Sequence, residues 1–163
     1  MNVHNILTAE ECKDLAFEIL DASLDGRLHK ETDELYYKNS YGTQLPSHWK
    51  LFDKFTEDVS QLVGKKLKPA NPYCRIYNHE STLNPHIDRD GLDWTLSMCV
   101  FDNTDVIWPL QVETEDDIYG YVIKVGDGAI MNGKKYKHWR EPLNCGYGKM
   151  AIYIFLHWKE VEE

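Results

Sequence analysis

A chain of 163 residues suits one domain with a sizeable core and leaves no room for two, because about 150 residues bury about two-thirds of their unfolded surface on folding. Its 18 Lys and Arg against 27 Asp and Glu give a formal charge of −9, which lacks the basic footprint of phosphate-backbone binding and argues against a nucleic-acid partner. Cys12, Cys74, Cys99 and Cys145 are widely spaced with no C-x-x-C, and no apolar run suits secretion or a bilayer span, so the expectation is a soluble protein of a reducing, cytoplasmic compartment.

The first periodic segment is helical. Thr8 and Glu11 form a capping box, and Cys12, Leu15, Ala16, Ile19 and Leu20 make an apolar stripe, which predicts a helix from Ala9 to Leu20. From Asp21 to Gln44 the periodicity disappears. Asp25-Gly26, Asn39-Ser40 and Tyr41-Gly42 punctuate this stretch, which reads as a polar loop carrying Tyr36, Tyr37 and Tyr41 over a barrel mouth, where long loops commonly select substrates. A second helix is predicted from Pro46 or Ser47, with Trp49, Phe52, Phe55, Val59, Leu62 and Val63 on one side and Gly64 as its left-handed cap.

Beyond Gly64 the period changes to alternation. Strands are predicted at Tyr73 to Tyr77, His86 to Asp88, Thr95 to Phe101, Ile107 to Glu113, Tyr119 to Val125, Ala129 to Asn132, Lys137 to Arg140 and Lys149 to Trp158. Eight short strands after two helices predict a mainly β fold with α. The architecture is a double-stranded β-helix, a cupin-like jelly roll, over residues 65–159, with the helical layer of residues 1–64 packed on one sheet of a single domain, residues 1–163. In the last strand Met150, Ile152, Ile154, Leu156 and Trp158 should meet the helices, while Lys149, Ala151, Tyr153, Phe155 and His157 face the barrel interior. Glu113 to Asp117 reads as a solvated turn and Glu160 to Glu163 as a frayed tail.

The chemistry concentrates at His86-Ile87-Asp88. Strand alternation sends the imidazole and the carboxylate to one side, so a single short strand can give one metal two ligands. His138, in a late strand of the same sandwich, supplies a third. Two imidazoles and one carboxylate on one side of an ion leave the opposite positions open, the arrangement of non-haem Fe(II) oxygenases. Lys149 follows His138 by eleven residues and opens the last strand on its inward side, where a buried ammonium needs an anion. A dicarboxylate such as 2-oxoglutarate meets that need, its keto-acid end on the iron and its distal carboxylate on Lys149 and a hydroxyl, for which Tyr77 is the candidate. Tyr73 and Arg75 share the strand side of Tyr77 and are expected to face substrate. Arg140, on the strand side of His138, is the second candidate anchor, and Trp139 a candidate pocket wall.

These residues resemble the Fe(II)/2-oxoglutarate dioxygenases, and among them the small prolyl-hydroxylase-like group. The matching stretches are Arg75-Ile76-Tyr77, Pro85-His86-Ile87-Asp88, Trp108-Pro109-Leu110, Gly126-Asp127-Gly128-Ala129, His138-Trp139-Arg140-Glu141-Pro142-Leu143 and Gly148-Lys149, with Ile6 to Cys12 similar to the usual first helix. The resemblance implies His86, Asp88 and His138 as iron ligands and Lys149 as the basic residue holding the distal carboxylate. It also implies oxidative decarboxylation of 2-oxoglutarate to succinate and CO₂, with O₂ as partner and hydroxylation of an unidentified peptidyl side chain or small metabolite. Peptidyl proline rests on subgroup analogy alone.

Other readings of the same residues stand beside this one. His86 and His138 are compatible with ordinary hydrogen-bonded core histidines, Lys149 with an edge charge reaching solvent, and Tyr77 with a packing aromatic. Arg75 or Arg140 is expected to pair with an acid such as Glu113 or Glu141. A cupin-type enzyme holding Zn, Mn or Ni without 2-oxoglutarate, or a jelly-roll binding module without catalysis, are the alternatives to the oxygenase.

Overall fold

The computed structural model describes residues 1–162, except for the side chain of Tyr37. A short strand β1 (Asn2–Val3) precedes helix α1 (Ala9–Leu24), which starts at the expected capping box: Thr8 Oγ1 accepts from Glu11 N at 3.1 Å, and Glu11 Oε1 accepts from Thr8 N at 3.0 Å. The helix runs one turn further than its apolar stripe, because Ala22 is also buried. Helix α2 (Leu51–Val63) is preceded by a 3₁₀ turn (Pro46–Lys50) and ends at Gly64 with φ +69°. The stretch between the helices is not one loop. It contains β2 (His29–Lys30), β3 (Tyr36–Tyr37) and β4 (Tyr41–Thr43), two- and three-residue strands too short for a period to show.

The remaining strands are β5 (Leu67–Asn78), β6 (Thr82–His86), β7 (Trp94–Asp102), β8 (Leu110–Glu113), β9 (Ile118–Tyr121), β10 (Gly128–Met131), β11 (Lys137–Arg140) and β12 (Met150–Glu160). They form an antiparallel seven-stranded sheet, β1-β10-β7-β12-β5-β4-β2, and a five-stranded sheet, β3-β6-β11-β8-β9. The central strand β12 pairs with both β5 and β7 along its length and separates two cores. Ile152, Ile154, Leu156 and Trp158 pack with the residues of α1 and α2, whereas Ala151, Tyr153 and Phe155 pack between the sheets with Tyr77, Cys99 and Trp108. Trp158 fixes α2 to the sheet twice, edge-on to Phe52 at 5.3 Å and through an Nε1–H bond to Thr56 Oγ1 at 2.9 Å. All four cysteines are free thiols. The tail is ordered further than expected, since Glu160 belongs to β12 and accepts from Trp94 Nε1 at 2.8 Å; Glu163 lies outside the described residues. No described helix is long and apolar enough to cross a membrane.

The segment from β2 to β3 matters for the site. β2 is an edge of one sheet and β3 an edge of the other, so residues 29–37 form a strap between the two layers.

Candidate active site

His86 closes β6, His138 lies in β11, and the antiparallel register sets them directly opposite one another. Their ring centroids are 4.3 Å apart. Asp88 falls just beyond β6 rather than within a strand, and its N–H donates to the Gly133 carbonyl at 2.8 Å. Its Oδ1 stands 3.4 Å from His86 Nε2 and 3.4 Å from His138 Nε2. One ligand atom from each of the three residues lies within 4.8 Å of the others.

The far nitrogen of each ring is already committed. His86 Nδ1 is 2.8 Å from the Asn84 carbonyl and His138 Nδ1 is 2.9 Å from the Tyr136 carbonyl. A carbonyl only accepts, so Nδ1 carries the proton in both rings and the Nε2 lone pairs face the common centre, as a ligating imidazole requires. Burial pushes the Asp88 carboxyl up, but when Nε2 of His138 and His86 is also protonated their hydrogen bonds and charge outweigh burial and hold the group well below the usual carboxylate range. Thr95 Oγ1 donates to Asp88 Oδ2 at 3.3 Å. Gly133 completes the setting: a Cβ there would overlap Asp88 Oδ2 and come within 3.4 Å of His138 Cε1, so only glycine leaves the carboxylate its place.

The triad lines a cavity of about 640 Å³ that also exposes two buried arginines. Arg75, on β5, is fully matched. Its Nε lies 2.6 Å from Glu31 Oε1 and its Nη2 3.1 Å from Glu31 Oε2, while Nη1 donates to Tyr77 Oη at 3.0 Å. The rings of Tyr36 and Phe155 flank the guanidinium at 4.2 and 5.0 Å. Arg140 is not matched. Its Nη1 donates to the Trp108 carbonyl at 2.9 Å, the group rests against the rings of Tyr153 at 4.5 Å and Trp108 at 4.6 Å, and Nη2 is buried with no hydrogen-bond partner. No carboxylate pairs with it among the described residues. A guanidinium only 2% exposed, with a spare donor and no counter-charge, is costly unless an anion enters the cavity beside it.

The structure thus distributes the expected site residues unevenly. Lys149 does not reach the cavity: its side chain is 44% exposed and 3.8 Å from Asp105. β12 begins only at Met150, and the chain before it turns through Gly146 and Gly148 at φ +85° and +83°, so the strand alternation that would aim Lys149 inward does not extend to it. Tyr77 is fully buried beneath the cavity, edge-on to Trp108 at 4.8 Å and Tyr153 at 5.8 Å, with its hydroxyl bound to Arg75. Tyr73 does line the cavity, and its hydroxyl donates to Glu31 at 3.1 Å. Trp139 is off the cavity wall because neighbours in a strand face opposite ways, and its Nε1 donates to Glu141 Oε1 at 3.2 Å. The acid expected for Arg75 is neither Glu113, which pairs with Lys137 at 3.4 Å, nor Glu141, but Glu31. Sequence reasoning missed Glu31 and Gly133, and it placed His157 on the inward side of the last strand without giving it a role. Only Gly133, in the Asn132-Gly133 pair, carried a turn signal. His157 lines the cavity with Nδ1 3.2 Å from the Asn71 carbonyl, and burial holds its pKa down to about 4.

No protein-family model and no curated protein matches this sequence. Solved structures do. A prolyl-4-hydroxylase from Pseudomonas putida superposes with a TM-score of 0.73 at 13% identity, covering 99% of this chain and 92% of that one. The fold is that of the 2-oxoglutarate–Fe(II) oxygenases. A viral collagen prolyl hydroxylase from Paramecium bursaria Chlorella virus-1, solved as a 2-oxoglutarate complex, gives a TM-score of 0.69 at 15% identity over 99% of this chain and 96% of its own. HygX from Streptomyces hygroscopicus, solved with nickel, 2-oxoglutarate and hygromycin B, gives 0.66 at 11% identity over 96% of this chain and 82% of its own.

Proposed function

We propose that this chain is an Fe(II)- and 2-oxoglutarate-dependent oxygenase that hydroxylates a C–H bond of a primary substrate, converting O₂ and 2-oxoglutarate into the hydroxyl group, succinate and CO₂. The observation that carries the reading is the convergence of His86 Nε2, Asp88 Oδ1 and His138 Nε2, with both Nδ1 atoms tied to carbonyls, on the wall of a cavity that holds an unpaired Arg140. Two imidazoles and a carboxylate fit Fe(II) and leave its remaining positions to co-substrate and O₂. The iron, when bound, supplies the activation of O₂.

The chain's own residues do the rest. Thr95 and the Gly133 carbonyl hold Asp88 in place, while Asn84 and Tyr136 fix the ring orientations. Arg140, in place of Lys149, is the anchor for the distal carboxylate of 2-oxoglutarate, because its spare Nη2–H and unmatched charge lie on the cavity wall whereas Lys149 lies off it. Phe155, Leu110 and Met131 give that wall apolar surface that keeps water from the reacting centre. The test is direct. Anaerobic Fe(II) and 2-oxoglutarate added together should give the visible charge-transfer absorption of a chelated keto acid, and admission of O₂ should release succinate. Protein that takes up Fe(II) yet gives neither signal would refute the assignment.

A further inference from the structure

The charge of the cavity runs against the charge of the chain. The protein carries a net −9, yet the cavity is lined by four cationic side chains and three acidic ones. Most of these charges are accounted for. Arg75 and Glu31 neutralise each other, Asp88 belongs to the metal triad, and Asp33 Oδ1 caps a turn by accepting from Leu35 N at 2.9 Å and Tyr36 N at 3.3 Å. On the oxygenase reading, Arg140 is matched by 2-oxoglutarate. Lys30 and Arg89 remain, both exposed and both on the cavity lining.

Neither has an acidic partner among the described residues, although acids stand next to each in sequence. Those acids are held elsewhere. Glu31, beside Lys30, turns inward to Arg75, and Asp90 and Asp93, after Arg89, lie 3.4 and 3.7 Å from Lys134. Both cations stand on backbone that the site holds. Lys30 is carried by the strap that Glu31 pins to the barrel, and Arg89 directly follows Asp88. Fe(II) and the 2-oxoglutarate dianion cancel one another, so the filled site keeps one net positive charge from its lining, placed at its mouth. A mouth that keeps its cations free of internal acids attracts an anion and orients it by its charged end. The cavity is of the size that holds a small molecule, and the strap crosses between the edges of the two sheets beside it.

We propose, resting on the oxygenase reading, that the primary substrate is a small organic anion whose carboxylate or phosphate group docks on Lys30 and Arg89. Anion selectivity is then a property of the metal- and 2-oxoglutarate-loaded protein. Zn(II)-substituted, 2-oxoglutarate-saturated protein labelled with ¹⁵N can be titrated with acetate, inorganic phosphate and, as the neutral match for acetate, acetamide. Acetate or phosphate should shift the amide signals of residues 29–33 and 88–92 saturably, acetamide should not, and the better of the two anions names the group recognised. In the Lys30→Gln/Arg89→Gln double variant, whose changes are on exposed side chains, the anion Kd should rise about tenfold or more. No saturable shift at these segments, an equal response to acetamide, or an unchanged Kd in the double variant overturns the inference. If 2-oxoglutarate itself fails to bind the metal-loaded wild type, the oxygenase reading falls first; if it binds and the anions do not, only the anion site falls.

Discussion

Gly133→Ala isolates the role of the triad's setting with a single methyl group. Gly133 does not have a positive φ, so alanine brings no backbone strain, only a Cβ. That atom would overlap Asp88 Oδ2 and lie 3.0 Å from Asp88 Cγ. The backbones cannot part easily, because Asp88 N donates to Gly133 O at 2.8 Å. Relief therefore comes from rotating the carboxylate, whose oxygen must retreat by about 1 Å or more to reach ordinary contact. Metal sites tolerate distance errors of only about 0.2 Å, and the rotation also breaks the Thr95 bond to Oδ2. Losses of about 10- to 100-fold in metal affinity follow from disturbing a ligand's support, equivalent to about 1.4–2.8 kcal/mol. A competition titration with a chromophoric chelator measures this, using Co(II) in place of Fe(II) to avoid oxidation. Metal-free stability should change much less, because Asp88 belongs to none of the packed cores. Wild-type metal affinity in Gly133→Ala would refute both the geometry at Asp88 and its role as a ligand.

Three further outcomes follow from the same contacts. Arg140→Leu should raise the KM for 2-oxoglutarate by about thirtyfold or more, from the roughly 2–5 kcal/mol attached to one partner of a buried charge pair, with the fold retained because an unpaired buried charge is removed; Lys149→Ala should change that KM less than about fivefold, as a surface pair is worth about 0–1 kcal/mol. The opposite ranking in steady-state succinate assays would restore Lys149 as the anchor. Glu31→Ala leaves Arg75 charged and buried without its acid, which costs about 3–5 kcal/mol and should lower Tm by about 10 °C; a melting curve within about 2 °C of wild type would show that the strap is not held by this pair. His48 is fully buried, its Nε2 2.7 Å from Glu18 Oε1 but without hydrogen-bond alignment, and burial lowers its pKa more than Glu18 restores it. The unfolded chain then takes up a proton near pH 6.5 that the folded chain refuses until a lower pH, so stability falls as pH drops below about 6.5. Urea midpoints of His48→Gln should show a shallower decline in that window, and an unchanged slope would remove His48 as its cause.

The sequence by itself determined the architecture and picked out the candidate metal triad, for a local reason. Alternation along Met150–Glu160 puts Ile152, Ile154 and Leu156 on one side and Tyr153 and Phe155 on the other, and these sides do face the two separate cores. His86, Asp88 and His138 were legible because few residue types make that chemistry and because strands fix which way His86 and His138 point; Asp88, past the end of β6, is placed instead by its N–H bond to the Gly133 carbonyl. Alternation also misled where a strand was taken too far: Lys149 lies one residue before β12 begins, and past a strand's end parity no longer sets direction. Tertiary structure alone decided that Arg140 is a buried cation without an acid among the described residues, that Glu31 reaches Arg75 from 44 residues away, and that Gly133 must lack a side chain. Each depends on which distant segments the sheet registers bring into contact, and hydrogen-bond register and side-chain volume act between strands, where no period along a single strand records them.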